Sequence, residues 1–311
     1  SYIKEKKNEL MEFSKGNSDM VYKFPLEMID EIVDYKHQLK PAYKQFQLQF
    51  MPSLSVQYYG FQHQGTIFNN LYLRKAFCYA IDRQKLCDFT LKGSGFPAIY
   101  GIVPPGTGTY TSQNINGFTY DAAKAREYMS KAGYPNGKGC PKITLQLNSG
   151  GTRNTQVAEA LKKMIEETLG IKIDLLTVPW AQHTEAVESA KTDFYRLGWS
   201  ADYPDAENFL NLFHSKYVPA ELSTKTYINS FRYKSKTFDE YFNKAVETTD
   251  EAKRNELYNK ADQQIIDDAV VLPIYYDIDY RLLQPNVRNC PQNAIEQRDF
   301  SEVYFVPMKG K

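Results

Sequence analysis

An α/β protein built on a parallel sheet is predicted, and three observations carry the prediction. Residues 143–199 read strand, helix, strand, helix, strand, and such a run implies parallel strands joined by right-handed crossovers. The central helix of that run has an apolar stripe at Val157, Leu161, Met164 and Ile165 and a stop at Gly170, as expected of a helix packed on a sheet. With 311 residues, the chain has the length of about two domains at ~150 residues each.

The elements follow in order. Ser1 to Tyr35 reads as two helices: Glu9–Phe13 runs to a C-cap at Gly16, and Pro25 opens a second helix with Leu26, Ile29 and Val33 on one face. Phe46, Leu48 and Phe50, then Val56 and Tyr58, alternate or cluster as strands do. From Asn70 the period turns helical through Leu71, Ala76, Phe77, Ala80 and Ile81, and Asp82 caps a further helix through Leu91 that ends at Gly93. Gly93 to Gly117, rich in Gly, Pro and Thr, reads as a long ordered loop. Asp121 caps an alanine-rich helix that stops at Gly133, with Pro135 beyond.

Strand Ile143–Leu147 then leads to helix Thr152–Leu169, strand Ile171–Val178, helix Trp180–Ala190 and strand Asp193–Trp199. Helices over about Thr237–Glu247 and Asp250–Asp268 precede strands Ala269–Tyr276, Ile278–Gln284 and Glu302–Val306. No internal repeat or low-complexity tract interrupts the series.

Composition excludes more than it assigns. Lys and Arg number 38 against 37 Asp and Glu, so no charge excess calls for nucleic acid or an anionic membrane. No apolar run approaches the ~18 residues of a membrane-crossing helix. The chain opens at Ser1, straight into helix-like sequence, and is expected to have lost an upstream segment. Cys78 and Cys87 fall in one helical stretch, Cys140 and Cys290 beside prolines. None has metal-site spacing, so they read as buried or incidental thiols, and the spacing does not assign a Cys140–Cys290 disulfide. Tyrosine is abundant, at 24 residues, which suits a hydroxyl-lined cleft or an aromatic core.

The chemistry concentrates between Arg196 and Asp205, where Trp199, Asp202 and Tyr203 follow the end of a strand. Open α/β sheets place ligands at that position, and a carboxylate beside indole and phenol rings suits a cationic, partly apolar ligand. Each residue has a plainer reading. Arg196, in a strand expected to be buried, needs either a ligand anion or a structural ion pair. Asp202 and Asp205 form an acid/base pair, a cation site, or turn formers. Trp180 staples helix to sheet or walls a cleft on the same side as Asp202. Ser149 to Thr152 cradles an anion or is an ordinary strand–helix turn. His37, His63, His183 and His214 match no metal or nucleophile motif.

Several segments, taken in order, resemble a known family. Leu10–Met20 is similar to an F-x-x-G-x-x-D segment, Asn70–Arg83 to a VRKAxxxAIDR signature, and Gly198–Pro204 to a W-x-A-D-Y segment. The Val103–Gly106 loop and the helix from Tyr120 to Tyr134 fall between them in the family's order. The chain resembles the C-terminal three-fifths of a family 5 extracellular solute-binding protein, the class that includes oligopeptide- and dipeptide-binding proteins of ABC importers. The resemblance implies a periplasmic-binding-protein-like fold (class II, cluster C) with a parallel-rich sheet flanked by helices. Residues 66–268 would form lobe II, residues 1–65 a partial lobe I, and residues 269–311 a return segment to it.

It further implies a receptor, not an enzyme, with no cofactor. The receptor would capture short peptides outside the cytoplasm, at the periplasm or cell surface, and deliver them as a monomer to a membrane permease. By motif, Asp202 would hold the peptide amine, Arg196 could pair with its carboxylate, and Trp180 would wall a side-chain pocket. Trp199, Ala201 and Tyr203 complete the ligand-binding set. Family members carry a long additional portion in front, so hinge closure around a ligand is expected to be incomplete in this chain alone. The rival readings are another solute such as a nickel chelate or oligosaccharide, a hydrolase using Asp202 and Asp205, and a signalling or chaperone-like protein on the same fold.

Overall fold

A computed structural model describes residues 6–24, 26–34, 36–295, 297 and 299–307 of the chain. Pro25 and Tyr35, expected at the start and end of the second helix, lie outside these residues. The first part contains α1 (Lys6–Ser14), β1 (Met20–Tyr22), α2 (Leu26–Ile32), β2 (Gln47–Phe61), α3 (Leu71–Tyr79), α4 (Arg83–Lys85), β3 (Gly95–Pro97) and α5 (Ala122–Lys131). The alternating run follows as β4 (Ile143–Asn148), α6 (Thr152–Leu169), β5 (Ile173–Val178), α7 (Trp180–Glu188) and β6 (Phe194–Ser200). The chain continues through α8 (Ala206–Leu210), α9 (Lys236–Glu247), α10 (Glu251–Asp267), β7 (Val271–Leu283), β8 (Val287–Arg288) and β9 (Tyr304–Phe305).

One mixed sheet runs β1-β7-β2-β6-β4-β5, with β3 also paired to β7. The parallel part is the alternating run, in which β4 pairs with both β5 and β6. The remaining pairs are antiparallel. The apolar clusters around Phe46–Phe50 and Val56–Tyr58 belong to one 15-residue strand. Its ladder to β7 slips between Pro52 and Val56, where proline has no N–H to donate. β7 likewise runs unbroken for 13 residues through Asp277. That carboxylate is satisfied in place by Ser55 Oγ at 2.9 Å and Gln57 Nε2 at 2.8 Å.

Helices cover both faces. Phe77 of α3, Met129 of α5 and Leu161 of α6 join one apolar core, while Val187 of α7, Phe209 of α8, Phe242 of α9 and Tyr258 of α10 join another. Helices α6 and α7 therefore lie on opposite faces and the winding reverses at β4, which opens a crevice at the carboxyl ends of β4 and β6. The long loop after Gly93 is held by Asp262 of α10. Its Oδ1 accepts from Ile102 N–H and its Oδ2 from the Tyr110 hydroxyl, each at 2.8 Å. A β-carbon on Gly101 would lie 2.0 Å from that carboxylate, so glycine is required there. All four cysteines are free thiols, Cys140 and Cys290 included.

Buried ionisable groups give the fold a pH dependence of known sign. His63, 8% exposed, contacts the Val270 carbonyl through Nε2 at 2.9 Å. Burial, then the nearby Arg74 guanidinium, pushes its pKa down to about 3. The unfolded chain binds that proton more readily, so the contribution of neutral His63 is complete above its ordinary pKa near 6.5 and is lost as pH falls toward 3. Asp262 acts oppositely. Burial raises its pKa to about 6, so its contribution is present below the ordinary carboxyl pKa and lost as pH rises through 6. In denaturant titrations between about pH 7 and 4, wild-type stability is expected to fall more steeply than that of His63→Gln, by at most ~1.4 kcal/mol per pH unit. Parallel profiles would exclude His63 as the source.

Candidate functional site

Strand β6 carries the site because its side chains alternate between faces. Leu197 and Trp199 point toward α7 and α8, whereas Arg196 and Ser200 point to the other face, beside Gln57 of β2. Two cavities result, and Ser200 at the strand end lines both.

The first cavity, of about 350 Å³, has walls of Tyr58, Trp180, Leu197, Trp199 and Tyr227, and its charged side chains are Glu188 and Asp202, both acidic. Trp180 is 53% and Tyr227 63% exposed, so both rings remain open to contact. The Trp199 and Tyr227 rings stand 6.0 Å apart between centroids. Asp202 is exposed, and its carboxylate forms no hydrogen bond or ion pair among the described residues. Beneath Trp180, His183 is fully buried and ties three elements together. Its Nε2 meets the Arg196 carbonyl at 2.8 Å and its Nδ1 meets Gln146 Nε2 at 3.1 Å. A carbonyl only accepts, so the proton sits on Nε2 and Gln146 donates to Nδ1. Burial lowers the pKa of His183, which favours this neutral form.

The second cavity, of about 460 Å³, lies on the opposite face, between β2, β6, β7, α2 and the start of α6. Arg196 is half-buried there and donates to Asn148 Oδ1 at 3.2 Å and to Gln57 Oε1. Both acceptors are neutral, and Arg196 forms no ion pair among the described residues. The nearby Asp277 is engaged instead by Gln57 Nε2 at 2.8 Å and by Arg153 at 3.3 Å. Gly198 permits this arrangement, since a β-carbon there would sit 2.5 Å from Gln57 Oε1. The Ser149–Thr152 turn opens α6 onto this cavity through Gly151 and Thr152, with no side-chain cap. Glu27 of α2 comes within 3.5 Å of the Thr152 hydroxyl.

The structure thus groups Trp180, Trp199 and Asp202 and sets Arg196 on the other face. Ala201 is half-buried against the second core and donates its N–H to the Leu54 carbonyl at 2.8 Å. Tyr203 is 45% exposed and its hydroxyl donates to Glu207. Asp205 is a helix cap: Oδ1 accepts from Glu207 N–H at 2.9 Å, and Oδ2 pairs with Arg254 at 3.3 Å. Asp205 does not line the aromatic cavity with Asp202. Tyr227, Gln57 and Asn208 were not anticipated from the sequence. Gln57 opposes Gly198 in the β2–β6 register, a bulky amide facing a glycine, and this pairing becomes visible only once the strands are assembled.

Known proteins place the chain. It is 27% identical over 258 residues to the oligopeptide-binding protein OppA of Bacillus subtilis, covering 82% of this chain and 46% of that protein. It is 31% identical over 233 residues to the glutathione-binding protein GsiB of Shigella flexneri, covering 72% and 42% respectively. The chain therefore spans about half the length of the curated relatives it matches. Among solved structures it resembles the periplasmic binding protein DppA of Helicobacter pylori in complex with peptide STSA. That match has a TM-score of 0.79 at 24% identity and covers 97% of this chain and 56% of that one. Residues 1–219 match the family described as bacterial extracellular solute-binding proteins, family 5 Middle, and the chain belongs to that family.

Proposed function

We propose that the protein captures short peptides outside the cytoplasmic membrane and delivers them, as a monomer, to the permease of an ABC importer. The observation that carries this reading is the charge arrangement at the end of β6. An acidic aromatic pocket holding Asp202 and a cavity holding the neutrally partnered Arg196 meet at Ser200. A free peptide is a zwitterion with a hydrophobic or mixed middle. Asp202 takes its ammonium end, the rings of Trp180, Trp199 and Tyr227 pack along its side chains, and Arg196 takes a carboxylate when the peptide is long enough. The names of the relatives support the same ligand class: one binds oligopeptides, another glutathione, and the DppA structure contains a peptide. Residues 66–268 then act as the ligand-binding lobe, with β2 and β7 leading into the other.

Calorimetric titration of the full-length protein with a tripeptide and with its N-acetylated twin tests the proposal. Binding of the free amine alone is expected. Equal binding of both, or of neither, would move the ligand to a class without an ammonium group.

A further inference from the structure

We infer that Asn208 is a positioning residue that sets Trp199 and Asp202 in one fixed relation at the mouth of the aromatic pocket. Its single side-chain oxygen accepts twice, from the Trp199 indole Nε1–H at 2.8 Å and from the Asp202 backbone N–H at 3.3 Å. One donor belongs to the end of β6 and the other to the turn after it, so this amide oxygen fixes the ring and the acid-bearing backbone together.

The amide orientation follows from chemistry. Both groups facing the Asn208 oxygen are N–H donors, and a flipped amide would present its own N–H₂ to them. Asn208 is 7% exposed and sits on α8, whose Ala206, Phe209 and Leu210 are buried in the core. That helix is capped by Asp205, which pairs with Arg254 on α10. The support therefore runs from α10 through the cap to α8, and from Asn208 to the two ligand-facing groups. A site held by a buried amide on a packed helix keeps its geometry better than one left to a surface turn.

The role in binding rests on the peptide-receptor reading, and two measurements separate them. The chain has two tryptophans, so Trp199 is the sole indole in a Trp180→Phe background. Asn208→Leu in that background removes the acceptor at similar volume and is expected to shift Trp199 emission to the blue. Asn208→Asp keeps an acceptor and is expected to restore the emission. In the otherwise unaltered 311-residue chain, Asn208→Leu is expected to weaken binding of a free-amine tripeptide roughly tenfold, the scale of losing a supporting hydrogen bond behind a ligand. Asn208→Asp, which keeps an acceptor, is expected to restore that affinity, and the N-acetylated twin is expected to bind neither chain.

Unchanged emission in Asn208→Leu overturns the proposal, as does a tripeptide affinity that Asn208→Asp fails to restore, which marks a merely structural effect. If the unaltered chain binds neither peptide, the peptide reading fails for this chain and the emission result alone decides: a shift upholds the clamp and no shift overturns it. Circular dichroism checks folding, and Asn208→Ala, which removes the same acceptor, replaces a leucine variant that does not fold.

Discussion

Asp202→Ala is expected to weaken binding of a free-amine peptide by ~2–5 kcal/mol, the range for truncating one partner of a desolvated charge pair. Without ligand the carboxylate is exposed and unpaired among the described residues, so the substitution strands no buried group in the protein itself. A solvent-exposed pair at this position would contribute only ~0–1 kcal/mol. The larger value requires the ligand and the rings of Trp180, Trp199 and Tyr227 to exclude water from the ammonium. Calorimetry on the variant therefore measures how dry the pocket becomes as well as whether an amine sits there. A loss below ~0.5 kcal/mol would remove Asp202 as the anchor. Asp205→Ala provides the contrast: its carboxylate caps α8 and pairs with Arg254, so its effect should appear in thermal stability, with the preference for a free amine retained.

The pocket was partly legible in the sequence because its members lie close together along the chain. Trp199 and Asp202 follow one strand end, and Trp180 opens the helix packed beside it, so the β-α-β pattern alone brings them to one place. The same pattern contains the reason Arg196 stands apart. It lies three positions before Trp199, and a period of two sends positions an odd number apart to opposite faces. Its partners were not legible. Gln57 lies 139 residues before Arg196, and it meets the guanidinium only because β2 inserts antiparallel between β6 and β7.

Long-range pairing also hid the true length of the strands. Pro52 and Asp277 look like breaks when read locally, yet a ladder slip at one and two hydrogen bonds to the other carry the strands through. Asp205 resolves in the other direction. Its turn-forming character was readable from residue type, and the cap it makes needs nothing distant except Arg254.

Arg83→Met is expected to lower stability by ~3–5 kcal/mol, the scale of breaking a buried charged network. Arg83 is 2% exposed. Its Nε donates to the Pro273 carbonyl at 2.6 Å, and its Nη1 reaches the carbonyls of Cys78, Ile81 and Phe118 at 3.1, 3.3 and 3.2 Å. Burial lowers its pKa to about 10, which leaves it charged at neutral pH. Methionine fills much of the volume and removes the cost of desolvating a guanidinium, and in some buried networks that exchange is neutral. Here the partners are backbone carbonyls, which no second substitution can make apolar, and each buried acceptor left unsatisfied costs ~1–3 kcal/mol.

Arg74 follows the same logic, donating to the carbonyls of Ala269, Phe68, Asn69 and Asp268. The signature-like stretch Asn70–Arg83 therefore pins α3 and α4 to the entry of β7. A urea midpoint that falls at unchanged m for Arg83→Met, beside an exposed control such as Arg126→Met within ~0.5 kcal/mol of wild type, is the expected pair of results. Equal midpoints for the two would mean that water reaches the four carbonyls, and the arginine would then be a replaceable side chain in an otherwise self-sufficient core.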